Sequence, residues 1–212
     1  MPQATVDPCP EGGGVARLVV LVSGTGTLLQ ALIDAAGPHF AVVAVGSDRP
    51  GVPALERAGR AGVPTFVHPL EPGSDRSAWD RGLTEQVAAP DPDLVVSAGF
   101  LKLVGRHFLA RFAGRTINTH PALLPAFPGL HGPRDALAYG VKVSGATVFL
   151  VDEGVDSGVI LDQVAVRVAD DDTPESLHER IKVVERDLLL DVTRRLATGR
   201  WHVVDRKVYW EP

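Results

Sequence analysis

The sequence predicts an α/β fold in which a mostly parallel, twisted sheet carries helices on both faces and a long helix lies near the C-terminus. Up to residue 118, short apolar runs rich in β-branched residues alternate with segments of helical pattern. Such alternation is typical of βαβ units, whose strands run parallel. Two longer β-type runs, 143–151 and 159–168, and a helical segment over 174–196 complete the pattern.

Five short strands and four helices make up the alternating part. The strands are predicted at 18–22, 41–45, 65–67, 94–97 and 116–118, and the helices at 28–36, 54–61, 77–88 and 105–112. Asp75 or Ser77 is suited to cap the third of these helices. A loop rich in Pro and Gly is predicted over 121–133 and a terminal hairpin over 202–210. Pro174 falls in the first turn of the long helix, where its missing amide costs little.

The composition excludes several classes of protein. The chain has 212 residues, a hydrophobic fraction of 45% and a formal net charge of −5, which argues against general nucleic-acid binding. Cys9 is the only cysteine, so an intrachain disulfide and a thiolate metal cluster are excluded. No apolar run approaches the roughly 20 residues of a membrane span, and no secretory signal is visible. We therefore expect a soluble, cytoplasmic protein.

The domain organisation is simple. Residues 1–14 contain three prolines and the run Gly12-Gly13-Gly14, and they are predicted to form a disordered N-terminal extension. Residues 15–212 contain neither an internal repeat nor a linker between separate domains. We therefore expect a single domain over this range.

A glycine turn, Ser23-Gly24-Thr25-Gly26-Thr27, follows the first strand and leads into a helix. Glycines let a ligand approach the backbone, and the amides at a helix N-terminus attract an anion. The turn lacks the third glycine of dinucleotide sites and the Gly-Lys-Ser/Thr of a P-loop, so a phosphate monoester fits better than a pyrophosphate. An ordinary tight βα turn has a similar composition, and both interpretations stay open.

Asn118 and His120 lie two residues apart at the end of the fifth strand, so their side chains point the same way. Open α/β sheets bind ligands at the carboxyl ends of their strands. An amide N–H can stabilise an oxyanion and an imidazole can transfer a proton, which makes the two residues a sensible pair for acyl transfer. The alternative for an isolated Asn-x-His is a hydrogen-bonded loop anchor.

An acidic loop, defined here as residues 152–158, joins the two long β-type runs and contains Asp152, Glu153 and Asp156. Acids and glycines are ordinary residues of a hairpin connection. In a functional interpretation, one acid reaches His120, favours its protonated form and orients it. Asp156 is the better candidate because the serine and glycine beside it leave access. The residues alone do not decide between the two interpretations.

Taken in order, these motifs resemble those of the phosphoribosylglycinamide formyltransferase family. The resemblance covers about residues 17–200 and is carried by the glycine turn, Ala98-Gly99-Phe100, the stretch from Asn118 to His131 and the acidic loop. It implies a Rossmann-like formyltransferase fold and formyl transfer from 10-formyltetrahydrofolate, as co-substrate, to the amine of glycinamide ribonucleotide in de novo purine biosynthesis. It implies no metal, nucleic acid or membrane partner, and a homodimer is compatible with the sequence.

The resemblance also implies roles for individual residues. Asn118, His120 and Asp156 match the catalytic residues of the family. The phosphate and ribose of the acceptor would contact Gly24, Thr25, Gly26, Thr27, Leu28, Lys182 and Glu185. The folate would contact Arg76, Leu101, Lys102, Leu103, Val104, Asn118, Asp152, Glu153, Gly154 and Val155. Residues 15–112 would then form a phosphate-binding half and residues 113–212 a catalytic and folate-binding half.

Some positions differ from the commonest family pattern. Leu28 stands where an Asn is frequent, so only its backbone amide would serve the phosphate. Lys102 replaces a frequent Arg and loses bidentate geometry for a carboxylate. Phe149 and Arg186 each stand where a His is frequent. His131 is expected to border the acceptor site. Surface or structural positions are expected for His39, His68, His107, His178 and His202.

Three other functions share parts of this pattern. Methionyl-tRNA formyltransferases share the Asn-x-His-Pro core but usually add a C-terminal RNA-binding domain, and the net charge of this chain is negative. Formyltetrahydrofolate hydrolases share the three catalytic residues but usually carry an N-terminal regulatory domain. A noncatalytic nucleotide-binding module would need the glycine turn alone and would not explain Asn118, His120 and Asp156. The transferase that acts on glycinamide ribonucleotide is therefore the expected function.

Overall fold

Strands and helices alternate through the first half of the chain in a computed structural model that describes residues 14–211. The elements of this half are β1 (Ala16–Val22), α1 (Thr27–Asp34), β2 (Phe40–Ser47), α2 (Pro53–Arg60), β3 (Thr65–Val67), α3 (Arg76–Ala88), β4 (Leu94–Ser97), α4 (Arg106–Phe112) and β5 (Thr116–His120). Every strand and helix predicted here is present. Of the two predicted caps, Asp75 is the one used, and its carboxylate accepts a 2.8 Å hydrogen bond from the backbone N–H of Ser77.

The second half contains one helix that the sequence analysis missed. Its elements are α5 (Gly132–Tyr139), β6 (Val143–Leu150), β7 (Ile160–Arg167), α6 (Pro174–Thr198), β8 (Trp201–Val204) and β9 (Lys207–Trp210). The predicted loop over 121–133 ended on Gly132 and Pro133, which usually interrupt helices, but these residues open α5 instead. Proline is tolerated there because the first amides of a helix have no intrahelical acceptor. Gly140 ends α5 in the left-handed conformation, with a φ of 82°.

Seven strands form one sheet in the order β3-β2-β1-β4-β5-β6-β7. The strands from β1 to β5 pair in parallel, whereas β6 pairs antiparallel with both β5 and β7. The predicted mostly parallel sheet is therefore confirmed. β5 is the last parallel strand, and His120 is its final residue.

Two apolar clusters cover the two faces of this sheet. Along β1, Leu18 and Val20 belong to one cluster with side chains of α1 and α6, whereas Val19 and Leu21 belong to the other with side chains of α3 and α4. Successive side chains of a strand point to opposite faces, so a strand covered on both faces has a continuous apolar sequence. The predicted helices on both faces are confirmed, and they hold the carboxyl ends of the strands in fixed positions.

The structure describes the C-terminal end of the chain up to residue 211 but not the first 13 residues. Residues 1–13, and with them Cys9 and nearly all of the predicted disordered extension, lie outside the described residues. The predicted terminal hairpin is present as the antiparallel pair of β8 and β9, and Trp201 is buried. Among residues 14–211 no helix is both long and apolar enough to span a membrane.

Candidate active site

A pocket of about 580 Å³ lies at the carboxyl ends of β1, β4 and β5. Its walls come from the glycine turn, the segment 97–104, the end of β5, the acidic loop and α6. The pocket is lined by every residue that the sequence assigned to a site except Arg76 and His131: Gly24, Thr25, Gly26, Thr27, Leu28, Leu101, Lys102, Leu103, Val104, Asn118, His120, Asp152, Glu153, Gly154, Val155, Asp156, Lys182 and Glu185. Residues up to 164 positions apart in the sequence (21 and 185) therefore meet in one cavity.

The two glycines of the glycine turn have different structural roles. Gly26 is buried and left-handed, with a φ of 72°, and a Cβ atom there would lie 2.6 Å from the Cβ of Ala54 in α2. Gly24 is exposed, and a Cβ atom there would meet nothing within 4 Å. Gly26 is thus required by the fold, while Gly24 leaves space at the backbone for a ligand.

Neighbouring elements hold the glycine turn in place. The Nε of Arg57 donates a 2.8 Å hydrogen bond to the carbonyl of Thr25, and the amide of Ala54 donates to the carbonyl of Gly24 at 3.2 Å. Among the described residues no side chain caps the first turn of α1, and that turn contains no acidic residue. The positive end of the helix dipole is therefore available to an anion in the pocket.

Both polar atoms of the His120 ring face hydrogen-bond acceptors. Nε2 lies 2.7 Å from the carbonyl oxygen of Phe127, and Nδ1 lies 3.4 Å from Oδ2 of Asp156. The Nε2 contact is a hydrogen bond, and the Nδ1 contact is an ion pair when the imidazole is protonated. Asn118 is half-buried two residues earlier on β5 and lines the same pocket. The pairing expected from the spacing along the strand is therefore present.

Asp156 is the acid of the acidic loop that reaches His120. Its backbone has a φ of 50°, and its Oδ2 also accepts a 2.7 Å hydrogen bond from the amide of Gly129. The carboxylate of Asp152 instead bonds within the loop, to the amide of Gly154 at 3.0 Å and to the hydroxyl of Ser157 at 2.6 Å. Asp152 therefore shapes the turn, and Asp156 is the acid that contacts the histidine.

Helix α6 brings Lys182 and Glu185 to the other side of the pocket, three residues apart on one helical face. Glu185 is only 5% exposed. Burial raises the pKa of its carboxyl group, and a hydrogen bond from the Thr119 side chain and the charge of Lys182 offset part of that shift. The side chain of Lys182 also forms a 2.6 Å ion pair with Glu179.

His178 also lines the pocket, although the sequence analysis expected a surface or structural position for it. It lies one helical turn before Lys182, and this i, i+4 spacing was the signal that could have found it. Burial lowers the pKa of the His178 imidazole, and the neighbouring Lys182 lowers it further. His131, expected beside the acceptor, is instead an exposed residue at the start of α5 and is not among the residues that line the pocket.

The segment 101–104 forms an apolar rim with one cation. Leu101 and Leu103 are 55% and 56% exposed, and Nζ of Lys102 lies 3.7 Å from Oδ2 of the buried Asp48. Arg76 does not line the pocket. It donates a 2.5 Å hydrogen bond to the carbonyl of Leu103 and lies over the ring of Trp79 at 5.0 Å. Arg76 therefore supports the segment 101–104 without lining the pocket.

No metal-binding cluster of three or more His, Cys, Asp or Glu side chains occurs among residues 14–211. The polar groups that line the pocket are the amide of Asn118, the imidazole of His120 beside the carboxylate of Asp156, the ammonium groups of Lys102 and Lys182, and the first amides of α1. Donors of this kind can hold an anion at one end and stabilise an oxyanion near the middle.

Many known proteins are similar to this chain in sequence and in fold. Residues 16–193 match the family model of the formyl transferases. A phosphoribosylglycinamide formyltransferase from Mycobacterium tuberculosis is 58% identical over 201 residues, which cover 91% of this chain and 93% of the relative. The trifunctional purine biosynthetic protein adenosine-3 of Drosophila melanogaster is 45% identical over 174 residues, covering 80% of this chain and 13% of that protein.

The fold agrees with these similarities. The crystal structure of glycinamide ribonucleotide transformylase 1 from Symbiobacterium toebii superposes with a TM-score of 0.89 at 42% identity and covers 94% of this chain and 95% of that one. The sequence similarity and the fold thus agree, and the chain belongs to the phosphoribosylglycinamide formyltransferase family.

Proposed function

We propose that this chain transfers the formyl group of 10-formyltetrahydrofolate to the amine of glycinamide ribonucleotide, giving formylglycinamide ribonucleotide and tetrahydrofolate. The observation that carries the proposal is the convergence of Asn118, His120 and Asp156 on a pocket that also contains the glycine turn. The names of the relatives support the same reaction and its place in purine biosynthesis. We place the reaction in the cytoplasm.

The acceptor occupies the end of the pocket between the glycine turn and α6. Its phosphate lies against the amides at the start of α1 and near the ammonium group of Lys182, which lines the same pocket. The buried carboxylate of Glu185 accepts hydrogen bonds from ribose hydroxyls. This arrangement directs the amine of the acceptor toward the end of β5.

The folate occupies the end of the pocket between the segment 101–104 and the acidic loop. The exposed side chains of Leu101, Leu103 and Val155 provide apolar surface for its rings, and Lys102 provides a positive charge. The formyl carbon then lies between the two ligand sites, close to Asn118 and His120. Holding the reactants side by side in this way lowers the entropic part of the barrier.

The neutral amine attacks the formyl carbon and gives a tetrahedral oxyanion. Asn118 and the protonated ring of His120 stabilise that oxyanion, and each such donor contributes about 3 kcal/mol at the transition state. The bond between the carbon and the folate nitrogen then breaks, and the proton released by the amine passes to that nitrogen through a water molecule. Asp156 keeps a negative charge beside the imidazole throughout.

A product assay tests the proposal against its rivals. The purified protein is incubated with 10-formyltetrahydrofolate and either glycinamide ribonucleotide, methionyl-tRNA or no acceptor, and formylated products and formate are measured by mass spectrometry. We expect formylglycinamide ribonucleotide only when the first acceptor is present. Formate production without an acceptor would indicate a hydrolase, and formyl-methionyl-tRNA would indicate the tRNA-directed enzyme.

A further inference from the structure

We propose that Arg206, in the C-terminal hairpin, is a positioning residue that fixes the acidic loop and, through it, Asp156; its consequence for turnover rests on the proposed function. Arg206 lies in the turn between β8 and β9. Its Nη2 donates hydrogen bonds to the carbonyls of Ser157 at 2.7 Å and Gly158 at 3.0 Å. The hairpin lies beyond residue 193, where the match to the family model ends.

The acidic loop needs an external anchor of this kind. The hydrogen bonds of Asp152 join parts of the loop to each other and do not attach it to the rest of the protein. Asp156 is attached through the amide of Gly129, but its left-handed backbone, with a φ of 50°, is unfavourable for a residue with a side chain. Arg206 binds the two carbonyls that directly follow Asp156, and it therefore restrains the backbone that sets the position of this carboxylate.

The hairpin is itself attached to the body of the protein by contacts that do not involve Arg206. The guanidinium of Arg195 in α6 lies 3.9 Å from the centre of the Trp210 ring and forms a 2.8 Å ion pair with Asp162 of β7. Trp201 is buried, and Val203 and Val208 pack against the same apolar cluster as α6. Removal of the Arg206 side chain should therefore leave the hairpin docked and release only the loop.

The chemistry of the contact explains the choice of arginine. A guanidinium group carries several N–H donors in one plane and stays charged at all relevant pH values, so it can bind two adjacent carbonyls at once. The acidic loop also carries the negative charges of Asp152, Glu153 and Asp156, which a fixed cation at its base partly compensates. A lysine could supply the charge and one or two of the hydrogen bonds. An alanine supplies neither the charge nor a hydrogen bond.

The test compares Arg206→Ala, Arg206→Lys and the control Lys207→Ala, which removes a neighbouring positive charge from the exposed start of β9. Hydrogen exchange of residues 152–158 is measured without ligands, together with the melting temperature, kcat and both KM values. We expect Arg206→Ala to speed exchange in the loop and lower kcat about ten-fold, with a higher folate KM and an unchanged acceptor KM. Arg206→Lys should recover part of each effect, and Lys207→Ala should match the wild type.

Two outcomes would overturn the inference. Unchanged loop exchange and unchanged kcat in Arg206→Ala would show that the two hydrogen bonds do not restrain Asp156. A lower melting temperature with faster exchange throughout the hairpin and α6 would show that Arg206 only holds the hairpin in place. Because exchange is measured without substrates, it separates this inference from the proposed function: an inactive wild type with a loop that responds to Arg206→Ala would refute the reaction and retain the positioning role.

Discussion

The glycine turn and the acidic loop bound the same pocket but are held in different ways. The glycine turn is fixed through its own backbone carbonyls, which accept hydrogen bonds from the Arg57 side chain and the Ala54 amide, and by the close approach of Gly26 to Ala54 in α2. The acidic loop is fixed by the side chains of three residues, Asp152, Asp156 and Arg206. Substitution of Gly26 in the turn should therefore affect folding first, whereas substitutions in the loop should affect turnover in a protein that remains folded.

The largest expected effect is that of Asp156→Asn. The substitution keeps the size of the side chain but removes the negative charge 3.4 Å from Nδ1 of His120, and we expect kcat to fall by about 100-fold or more. Folate binding, followed by fluorescence titration, and the melting temperature should change little. Asp91→Asn is the matched control, because Asp91 is also left-handed but is exposed and outside the pocket. Normal turnover in Asp156→Asn would remove Asp156 from the catalytic site.

The second prediction separates the two glycines of the turn. In Gly24→Val the new Cβ meets no neighbouring atom, so the fold should persist while the acceptor KM rises about ten-fold or more and the folate KM stays constant. In Gly26→Ala the Cβ clashes with Ala54 in a left-handed backbone, and we expect a lower melting temperature by several degrees. Steady-state kinetics and thermal denaturation of both variants test this. Equal stability losses in the two variants would contradict the assignment.

The third prediction concerns the buried carboxyl of Glu185, whose pKa is raised by burial. A group with a raised folded-state pKa binds more protons when folded, so its contribution to stability falls as pH rises above the unfolded value of 4.5. Glu185→Gln should therefore raise the melting temperature at pH 7 by about 2–4 °C, equivalent to roughly 1 kcal/mol, and this gain should vanish near pH 4. Thermal denaturation at both pH values is the measurement.

Glu185→Gln also shows whether a residue that lowers stability at pH 7 contributes to acceptor binding. If Glu185 binds the ribose, the more stable variant should have a higher acceptor KM. A gain in stability with unchanged kinetics would place Glu185 outside the acceptor site, and a loss of stability at pH 7 would contradict the cost of burying its charge.

The smallest expected effect is that of Lys102→Ala on folate binding. The side chain is 29% exposed and its partner Asp48 is buried, so we expect the folate KM to rise a few-fold, equivalent to about 1 kcal/mol at most. Lys102→Ala also removes the cationic partner of the buried Asp48 carboxylate, so a change in the folate KM has two possible causes. Lys102→Ala in an Asp48→Asn background removes that complication, and an unchanged folate KM there would show that Lys102 serves only Asp48.

The sequence was sufficient to predict the parts of the fold that depend on local pattern. β3 and β4 have the predicted bounds because each is a short apolar run between clear breakers. Helix α5 was missed because Gly132 and Pro133 normally end a helix, and their role at its first turn depends on packing: a Cβ on Gly132 would lie 3.2 Å from Nε2 of His120. The need for glycine at that position lies in the tertiary structure.

The residues of the candidate site also fall into those that local sequence pattern could predict and those that depend on the tertiary structure. Asn118 and His120 could be paired from their spacing on one strand. Asp156 was the better candidate among three acids because of the serine and glycine beside it, and the resemblance to a family pointed to the same residue. His178 was expected at a surface or structural position because a single histidine on a helix carries no signal. Its place in the pocket could be inferred only once Lys182, four residues later, was known to face the pocket. Arg206 could not be found at all, because its contacts cross 49 and 48 positions to backbone carbonyls, which have no sequence signature.

One hydrogen bond connects the two ends of the pocket directly. The hydroxyl of Ser23, which is 4% exposed, accepts a 2.9 Å hydrogen bond from the amide of Leu101. It ties the start of the proposed phosphate site to the start of the proposed folate segment. The separation between donor and acceptor molecules is then a fixed length of the protein, independent of either ligand. A change of this separation by a fraction of an ångström would alter the distance and angle between the amine and the formyl carbon while both ligands remained bound.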